Sequence, residues 1–294
     1  MKVHHLNCGT MRPPCTPEGL VCHVLLLETD TGLTLVDSGL GLRDVADPGA
    51  RFGPARFYVR PRFDENETAL RQIERLGFDP RDVRNIVLTH FDADHTGGLA
   101  DFPWARVHLT AGEADAALHP RGPIERGRYL PTQRDHHPML VCHTPGHGEP
   151  WHGFPAAEEL TDIAPGLVMI GLPGHSRGHA AIAIDTGKRW ILHAGDAFYH
   201  HGQIDGTGRV PRVLTAMERF MAHDMPGVRA NHERLAELWT RRARELLLVN
   251  AHDPVLLRRA RQIDADTEMT CSDQDVAATR DGSDPIRGEV GEPN

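Results

Sequence analysis

The sequence predicts an α/β protein built as a four-layer αββα sandwich, and two observations support this fold class. Apolar runs typical of strands fall into two groups, one in each half of the chain, and helical patterns complete each group. The chain has 294 residues, of which 39% are hydrophobic and 25% charged, so it can bury a sizeable core. Two sheets packed face to face, with helices on their outer faces, would satisfy both observations.

The first half opens with a predicted β-hairpin. Its strands are HVLLLET at 23–29 and LTLVDSG at 33–39, joined by DTG. Residues 40–63 are rich in Gly, Pro and Arg and are predicted to form a long loop. An amphipathic helix follows and ends at Gly77. The face that this helix is expected to bury carries Leu70, Ile73 and Leu76. The remaining elements of this half are a buried strand at 83–90, a short strand at 105–109 and a helix at 111–118.

The second half begins with an irregular stretch, residues 120–165, which is rich in Pro, Gly and His and is expected to form a lid or pocket wall. Three strands, two helices, a last strand and a last helix complete a catalytic domain at 1–263. Residues 264–294 are acidic and poor in aromatic residues, so they are predicted to be a disordered tail. The segments behind these predictions are, in order, GLVMIGLPGH, HAAIAIDT, KRWILHAGD, RVLTAMERFMAHDM, ANHERLAELWTRRARELL, LLVNAHD and PVLLRRARQI.

Composition excludes several classes of protein. The net charge is -9 and no basic stripe occurs, which argues against a nucleic-acid partner. No apolar run is long enough to span a membrane, and the start MKVHHLNCGT lacks the apolar segment of a secretory signal. The five cysteines include no CxxC and are expected to be free thiols in a reducing compartment. We therefore expect a cytoplasmic monomer or homodimer whose partner is a small-molecule substrate.

A cluster of potential metal ligands ends the predicted strand at 83–90. In LTHFDADHTGGL, two histidines and two aspartates lie close together as His90, Asp92, Asp94 and His95. Because side chains alternate along a strand, His90 and Asp92 lie on one side, whereas the other two fall in the following turn and can point elsewhere. One short segment can therefore serve two metal ions. The alternative is a polar surface loop, but the apolar strand before the cluster and the two glycines after it favour a metal site.

Three further segments place a residue of ligand type after an apolar run. These are His175 in LPGHSRGH, Asp196 in ILHAGDAFY and His252 in LLVNAHDP. His147, in a second PGH sequence, is a rival to His175, but a stronger strand precedes His175. One such position means little, whereas four in one chain form a pattern.

In these residues the sequence resembles the metallo-β-lactamase-fold superfamily, whose H-x-H-x-D-H signature precedes a PGH histidine, a bridging aspartate and a late histidine. The resemblance spans residues 21–263. It implies the metallo-β-lactamase fold and two divalent metal ions, zinc first and manganese or iron as alternatives. The resemblance assigns one metal to His90, Asp92 and His175, the other to Asp94, His95 and His252, a bridging position to Asp196, and support of the metal loop to Asp37.

The sequence departs from the family signature at one position, where Asp92 replaces the middle histidine. Two divalent cations carry a formal charge of +4, and three carboxylates with one hydroxide carry -4, so the centre sums to zero. A histidine at this position would give a sum of +1. The added carboxylate also makes the ligand set harder, which favours Mn²⁺ or Fe²⁺ more than an imidazole would.

The function that the resemblance implies is a metal-dependent hydrolase, in which a metal-bridging hydroxide attacks an ester, lactone or thioester carbonyl. Asp94, Asp196 and Tyr199 are the candidate catalytic residues. Tyr199 stands at the offset at which the family's acyl-homoserine lactonases carry a tyrosine, so a lactonase is the leading prediction, although Tyr199 could instead pack under the metal loop. The alternatives are a mononuclear or binuclear iron-dependent oxygenase or oxidoreductase on the same fold, or a metal-binding protein without turnover.

Overall fold

Two mixed six-stranded sheets lie at the centre of the structure, a computed structural model that describes residues 1–266 except for the side chain of Ala156. The first sheet contains β1 (Lys2–Asn7), β2 (His23–Thr29), β3 (Gly32–Val36), β4 (Val83–Val87), β5 (Arg106–Thr110) and β6 (Met139–His143). The second contains β7 (Glu149–Trp151), β8 (Phe154–Glu159), β9 (Leu167–Gly171), β10 (Ala180–Asp185), β11 (Trp190–His193) and β12 (Leu246–Val249). Within each sheet, neighbouring strands are consecutive in the sequence.

Strand direction changes once within each sheet. In the first sheet β1, β2 and β3 are antiparallel, whereas β3, β4, β5 and β6 are parallel. In the second sheet β7 to β11 are antiparallel and β12 runs parallel to β11. Parallel neighbours end at the same edge of a sheet, so the residues that follow β11 and β12 come close together.

Helices cover the two outer faces and fill the connections. They are α1 (Leu42–Ala46), α2 (Pro48–Phe52), α3 (Arg56–Val59), α4 (Ala69–Arg75), α5 (Ala93–Thr96), α6 (Ala111–Leu118), α7 (Gly122–Arg128), α8 (Arg212–Met221), α9 (Met225–Arg241) and α10 (254–266). None of the helices in the described residues is both long enough and apolar enough to cross a membrane.

Three buried clusters separate four layers. Leu25 of β2 and Met169 of β9 belong to the cluster between the sheets. Ile73 of α4 belongs to the cluster on the outer face of the first sheet, and Leu235 of α9 to the one on the outer face of the second. Strands buried on both faces need continuous apolar runs, which explains the sequence VLLL within β2. The predicted αββα sandwich is therefore confirmed.

Several predicted elements differ from the structure. The predicted loop at 40–63 contains α1, α2 and α3, and the irregular stretch at 120–165 contains α7, β6, β7 and β8. Leu76, predicted on the buried face of α4, is 43% exposed. Helix α10 continues past the predicted domain boundary to residue 266. The rest of the predicted disordered tail, 267–294, lies outside the described residues.

Candidate metal centre

The structure brings the seven residues predicted as metal ligands together at one end of the sandwich. The segment after β4 supplies four of them, because Asp92 is the N-cap of the short helix α5 and the chain turns there. The backbone carbonyl of Asp92 accepts hydrogen bonds from the amides of His95 and Thr96, at 3.0 and 3.1 Å. The Asp92 carboxylate makes no cap hydrogen bond and instead lies beside His175 and His90. The loop between β9 and β10 supplies His175, and the ends of β11 and β12 supply Asp196 and His252.

The ligand candidates form two groups of three, which we call donor group 1 and donor group 2. Donor group 1 consists of His90, Asp92 and His175, and donor group 2 of Asp94, His95 and His252. In donor group 1, Asp92 Oδ2 lies 3.1 Å from His175 Nε2 and 3.3 Å from His90 Nε2. In donor group 2, His252 Nε2 lies 3.5 Å from Asp94 Oδ2, and His95 Nε2 lies 3.9 Å from Asp94 Oδ1. Each set of atoms is spaced as ligands around one ion would be.

Asp196 lies between the two groups. Its Oδ2 is 3.5 Å from His175 Nε2 and 3.8 Å from His90 Nε2. Its Oδ1 is 3.1 Å from His252 Nε2 and 3.3 Å from His95 Nε2. Oδ2 also lies 3.2 Å from His252 Nε2. The carboxylate is therefore within reach of histidines from both groups, which is the position of a bridging ligand.

Buried polar atoms at this centre lack hydrogen-bond partners in the protein and are suited to bind metal ions. His90 Nε2 and His95 Nε2 are buried without a hydrogen-bond partner in the described part of the chain. Buried polar atoms are normally paired, so two such nitrogens facing the same carboxylate indicate a partner that is not protein. Imidazole nitrogens with carboxylate oxygens suit Zn²⁺, Mn²⁺ and Fe²⁺. The residues present therefore fit two divalent cations.

The ionisation of these groups favours a charged centre. Burial would raise the pKa of Asp196, but the imidazoles of His252, His95 and His90 outweigh burial and hold this pKa well below its usual range. Burial would lower the pKa of His252, but the carboxylates of Asp196 and Asp94 raise it to about 9. A bound cation would replace the imidazole protons as the positive partner of the carboxylates.

Asp37, which directly follows β3, holds the segment that carries donor group 2. Its Oδ1 accepts a hydrogen bond from the Thr89 amide at 2.7 Å, and its Oδ2 lies 2.8 Å from both Thr89 Oγ1 and His95 Nδ1. The backbone of Asp37 adopts φ = 58°, which is uncommon for residues other than glycine. A carboxylate at Nδ1 keeps the proton on that nitrogen, so His95 Nε2 presents its lone pair to the centre.

Glu113 is a buried residue of the site that the sequence analysis missed. Its Oε1 accepts hydrogen bonds from the Phe91 amide at 2.9 Å and the Tyr129 hydroxyl at 3.1 Å. Its Oε2 accepts from Ser176 Oγ at 2.6 Å and the Gly178 amide at 3.1 Å. One carboxylate thus joins the two segments that carry donor group 1. Its only signal in the sequence is an acidic residue among the small apolar residues of AGEADAAL.

Replacing Glu113 by glutamine is expected to destabilise this junction. The amide nitrogen of glutamine cannot accept hydrogen bonds, so two of the four donors lose their partner, at a cost of about 2–4 kcal/mol. Thermal unfolding of the two proteins measures this loss. Glu233→Gln, at an exposed position of α9, is the matched control and should leave the unfolding temperature unchanged. Equal unfolding temperatures for Glu113→Gln and the unmodified chain would contradict the prediction.

Arg128, the last residue of α7, is a second residue that the sequence analysis missed. Its Nε lies 2.6 Å from Asp92 Oδ1, which makes a buried ion pair without hydrogen-bond alignment. Burial, followed by the Arg128 charge, lowers the pKa of His175 to about 4, so His175 is a neutral imidazole. The formal charge of zero that the sequence predicts for the metal centre does not count Arg128. With the Arg128 charge included, the formal charge of the centre is +1.

Tyr199 lies beside His175 of donor group 1. The side chain is buried, and its hydroxyl is 3.5 Å from His175 Nδ1, on the side of the ring opposite Asp92. The Tyr199 ring also packs edge-on against His252, with centroids 5.7 Å apart. This position suits a donor to a substrate carbonyl, and it also suits a partner that orients the His175 ring.

A cavity of about 460 Å³ opens beside both donor groups. Asp92, Asp94, Asp196 and Arg128 form its polar end. Most of the remaining wall is apolar, and it includes Met11, Leu20, Phe52, Ile124, Met217 and Phe220. Helix α7 lies in the segment predicted to be a lid or pocket wall, and it supplies part of this wall. The shape and lining suit a small molecule with one reactive polar group and one apolar group.

Known proteins resemble this chain in sequence and in fold. Residues 17–252 match the family model of the metallo-beta-lactamase superfamily. A probable metallo-hydrolase of Mycobacterium tuberculosis is 53% identical over 261 residues, which cover 89% of this chain and 83% of that protein. The N-acyl homoserine lactonase AiiA of Bacillus thuringiensis subsp. kurstaki is 29% identical over 163 residues, 55% of this chain and 57% of that protein.

Solved structures share the architecture. A mutant of B. thuringiensis AiiA, with N-decanoyl-L-homoserine bound at its active site, has a TM-score of 0.64 and 23% identity. The alignment covers 88% of this chain and 95% of that chain. The family model covers most of the chain, and the fold agrees with it. The chain is therefore a metallo-hydrolase and belongs to the metallo-β-lactamase superfamily.

Proposed function

We propose that the protein hydrolyses lactones or related esters at a centre of two divalent metal ions held by donor groups 1 and 2. The observation that carries the proposal is the position of Asp196, whose carboxylate contacts His175 of donor group 1 and His252 of donor group 2. A bridging ligand between two three-residue sets is the arrangement that two-metal hydrolysis needs. Zinc is the first candidate metal, with manganese and iron as alternatives.

Asp94, Asp196 and Tyr199 each have a defined part in the proposed reaction. Two divalent ions, when bound, supply a nucleophile derived from water and polarise the substrate carbonyl. Hydrolysis breaks the bond between the acyl carbon and the ring oxygen, and that oxygen must take up a proton. Asp94 is partly exposed and lines the cavity, so it can carry the proton to the leaving oxygen, with Asp196 as the other candidate. Tyr199 donates its hydroxyl hydrogen bond to the carbonyl oxygen as negative charge develops there.

The cavity wall supports a substrate with an apolar acyl group. Phe220 and Ile124 line the cavity and are 68% and 62% exposed. Large exposed apolar side chains at a cavity mouth mark a binding surface. A mutant of AiiA was solved with N-decanoyl-L-homoserine bound at its active site. A similarly long acyl chain on a substrate of this protein would pack against the apolar wall of the cavity.

The test compares butanoyl- and decanoyl-homoserine lactone as substrates of the metal-loaded protein, with proton release as the readout. Removing one aromatic contact with the acyl chain costs about 1–2 kcal/mol. Phe220→Ser is therefore expected to raise KM for the decanoyl substrate about tenfold and to change KM for the butanoyl substrate little. Phe57→Ser is the matched control, because Phe57 is 67% exposed and lies outside the cavity wall. An absence of turnover in metal-loaded protein would overturn the lactonase proposal.

The ligand set of donor group 1 also favours a second candidate function, that of an iron-dependent oxygenase. Two histidines and one carboxylate form the ligand set that mononuclear iron oxygenases use. Such an enzyme needs one metal position, whereas this chain brings together ligands for two, so hydrolysis is the better proposal. Oxygen consumption by iron-loaded protein, without hydrolysis of any lactone, would favour the oxygenase.

A further inference from the structure

Arg128 contacts two members of donor group 1. Besides its ion pair with Asp92, its Nη2 lies 2.7 Å from His175 Nε2, and its Nη1 donates to the His175 carbonyl oxygen at 2.9 Å. The side chain is only 4% exposed. Its neighbour Tyr129 is anchored to Glu113, which fixes the end of α7 at this place. The guanidinium is therefore a built part of the centre and not a surface cation that happens to lie near it.

This cation affects the two donor groups differently. Arginine keeps its charge under all ordinary conditions, so Arg128 neutralises Asp92 and repels a divalent ion in donor group 1. In donor group 2, the ion-pair partners of Asp94 within residues 1–266 are the histidines His95 and His252. A metal ion in donor group 2 would replace the proton of His252, so both imidazoles would then be neutral and would leave the whole charge of Asp94 available to that ion.

The hydrogen bond at His175 adds a second effect. An imidazole nitrogen has one lone pair, which can accept a hydrogen bond or bind a metal ion but cannot do both. His175 Nε2 faces Asp92 and Asp196, so it is the nitrogen that a metal in donor group 1 would use. Filling donor group 1 therefore requires Arg128 Nη2 to withdraw from this nitrogen.

We propose that Arg128 makes the two metal positions unequal, so that donor group 2 fills first and tightly, whereas donor group 1 fills second and weakly. This inference rests on the proposed two-metal function. It also accounts for the unusual Asp92. A histidine at this position would leave the buried Arg128 without its carboxylate partner beside a metal ion. Asp92 and Arg128 thus act as one unit, and neither should be changed without the other.

The test is a metal titration of the full chain after metal removal, with Co²⁺ as probe and its visible absorption as readout. We expect the unmodified protein to bind one equivalent tightly and a second at least about tenfold more weakly. Arg128→Met keeps an unbranched apolar side chain in place of the arginine's aliphatic part and removes the charge, so it should tighten the second equivalent at least about tenfold. Arg128→Lys keeps the charge and should preserve most of the difference.

A double-mutant cycle tests the pairing with Asp92. Asp92→His alone should weaken the second equivalent further, although it restores the family signature. Asp92→His combined with Arg128→Met should bind two equivalents with similar affinity. This double variant also guards against misfolding, because it leaves neither charge of the buried pair without a partner.

Two internal controls separate the inference from other effects. The first equivalent, in donor group 2, should bind equally well in all variants, and circular dichroism should report an unchanged fold. Arg126→Met, at an exposed position of the same helix, should leave both affinities unchanged.

Three outcomes would count against the proposals. A second equivalent that binds Arg128→Met no better than the unmodified protein overturns the inference, because Arg128 would then support donor group 1. Two equal affinities in the unmodified protein also overturn it and leave the proposed function standing. Failure of the unmodified protein to bind any metal overturns both.

Discussion

Replacing Asp196 by asparagine is expected to lower kcat/KM for lactone hydrolysis by about 10³-fold or more. Asparagine keeps the shape of the side chain but carries no charge. One of its terminal atoms is an amide nitrogen, which cannot ligate a metal and would point a donor at a histidine nitrogen. Because Asp196 faces both donor groups, this single change should weaken both metal positions. Steady-state kinetics and metal content, measured on the same preparation, check both effects.

Asp30→Asn is a suitable control for this prediction. Asp30 is an exposed residue at the turn between β2 and β3, so the change removes the same charge away from the centre. Its activity and metal content should match those of the unmodified protein. If Asp196→Asn kept two metal ions and most of its activity, Asp196 would not be a bridging ligand.

The elements that carry the ligands could be predicted because their signals are local. The apolar run before His90 predicts β4, and the runs before Asp196 and His252 predict β11 and β12. Ligands that follow strands lie at sheet edges, so the order of the motifs already implies that they meet. Alternation along the chain also predicts that His90 and Asp92 lie on one side, whereas Asp94 and His95 can point elsewhere. In the structure His90 and Asp92 lie near His175, and Asp94 and His95 lie near His252.

The parts of the fold and site that could not be predicted depend on contacts between residues far apart in the sequence, which no local sequence pattern reveals. Arg128 looks like any other surface arginine in ERGRYL, and its role depends on Asp92, far away in the sequence. Helices α1, α2 and α3 are four or five residues long, too short for a helical period to be visible. Strands β7 and β8 form the edge of the second sheet, where less of each strand is buried and the apolar pattern is weak. Packing against the rest of the fold decides the structure at these places.

Replacing Asp37 by asparagine is expected to weaken metal binding in donor group 2 by about 10–100-fold, although Asp37 contacts none of the proposed metal ions. The asparagine oxygen can still accept the hydrogen bond from the Thr89 amide. The asparagine nitrogen then faces His95 Nδ1 and donates to it, which moves the imidazole proton to Nε2. That nitrogen lies 3.3 Å from Asp196 Oδ1, where the lone pair is needed for a metal.

The change of tautomer distinguishes this prediction from a simple loss of stability. Ser38→Ala removes a buried hydrogen bond of 2.8 Å to the backbone carbonyl of the same His95 but leaves its ring untouched. It should therefore lower the free energy of unfolding of the metal-free protein by an amount typical of one hydrogen bond, about 1 kcal/mol, with little effect on metal affinity. Asp37→Asn should do the reverse, lowering metal affinity more than it lowers the stability of the metal-free protein. Metal titrations and thermal unfolding of both variants compare the two effects. Equal losses of affinity would show that Asp37 acts only by holding the loop, and not by setting the proton on His95.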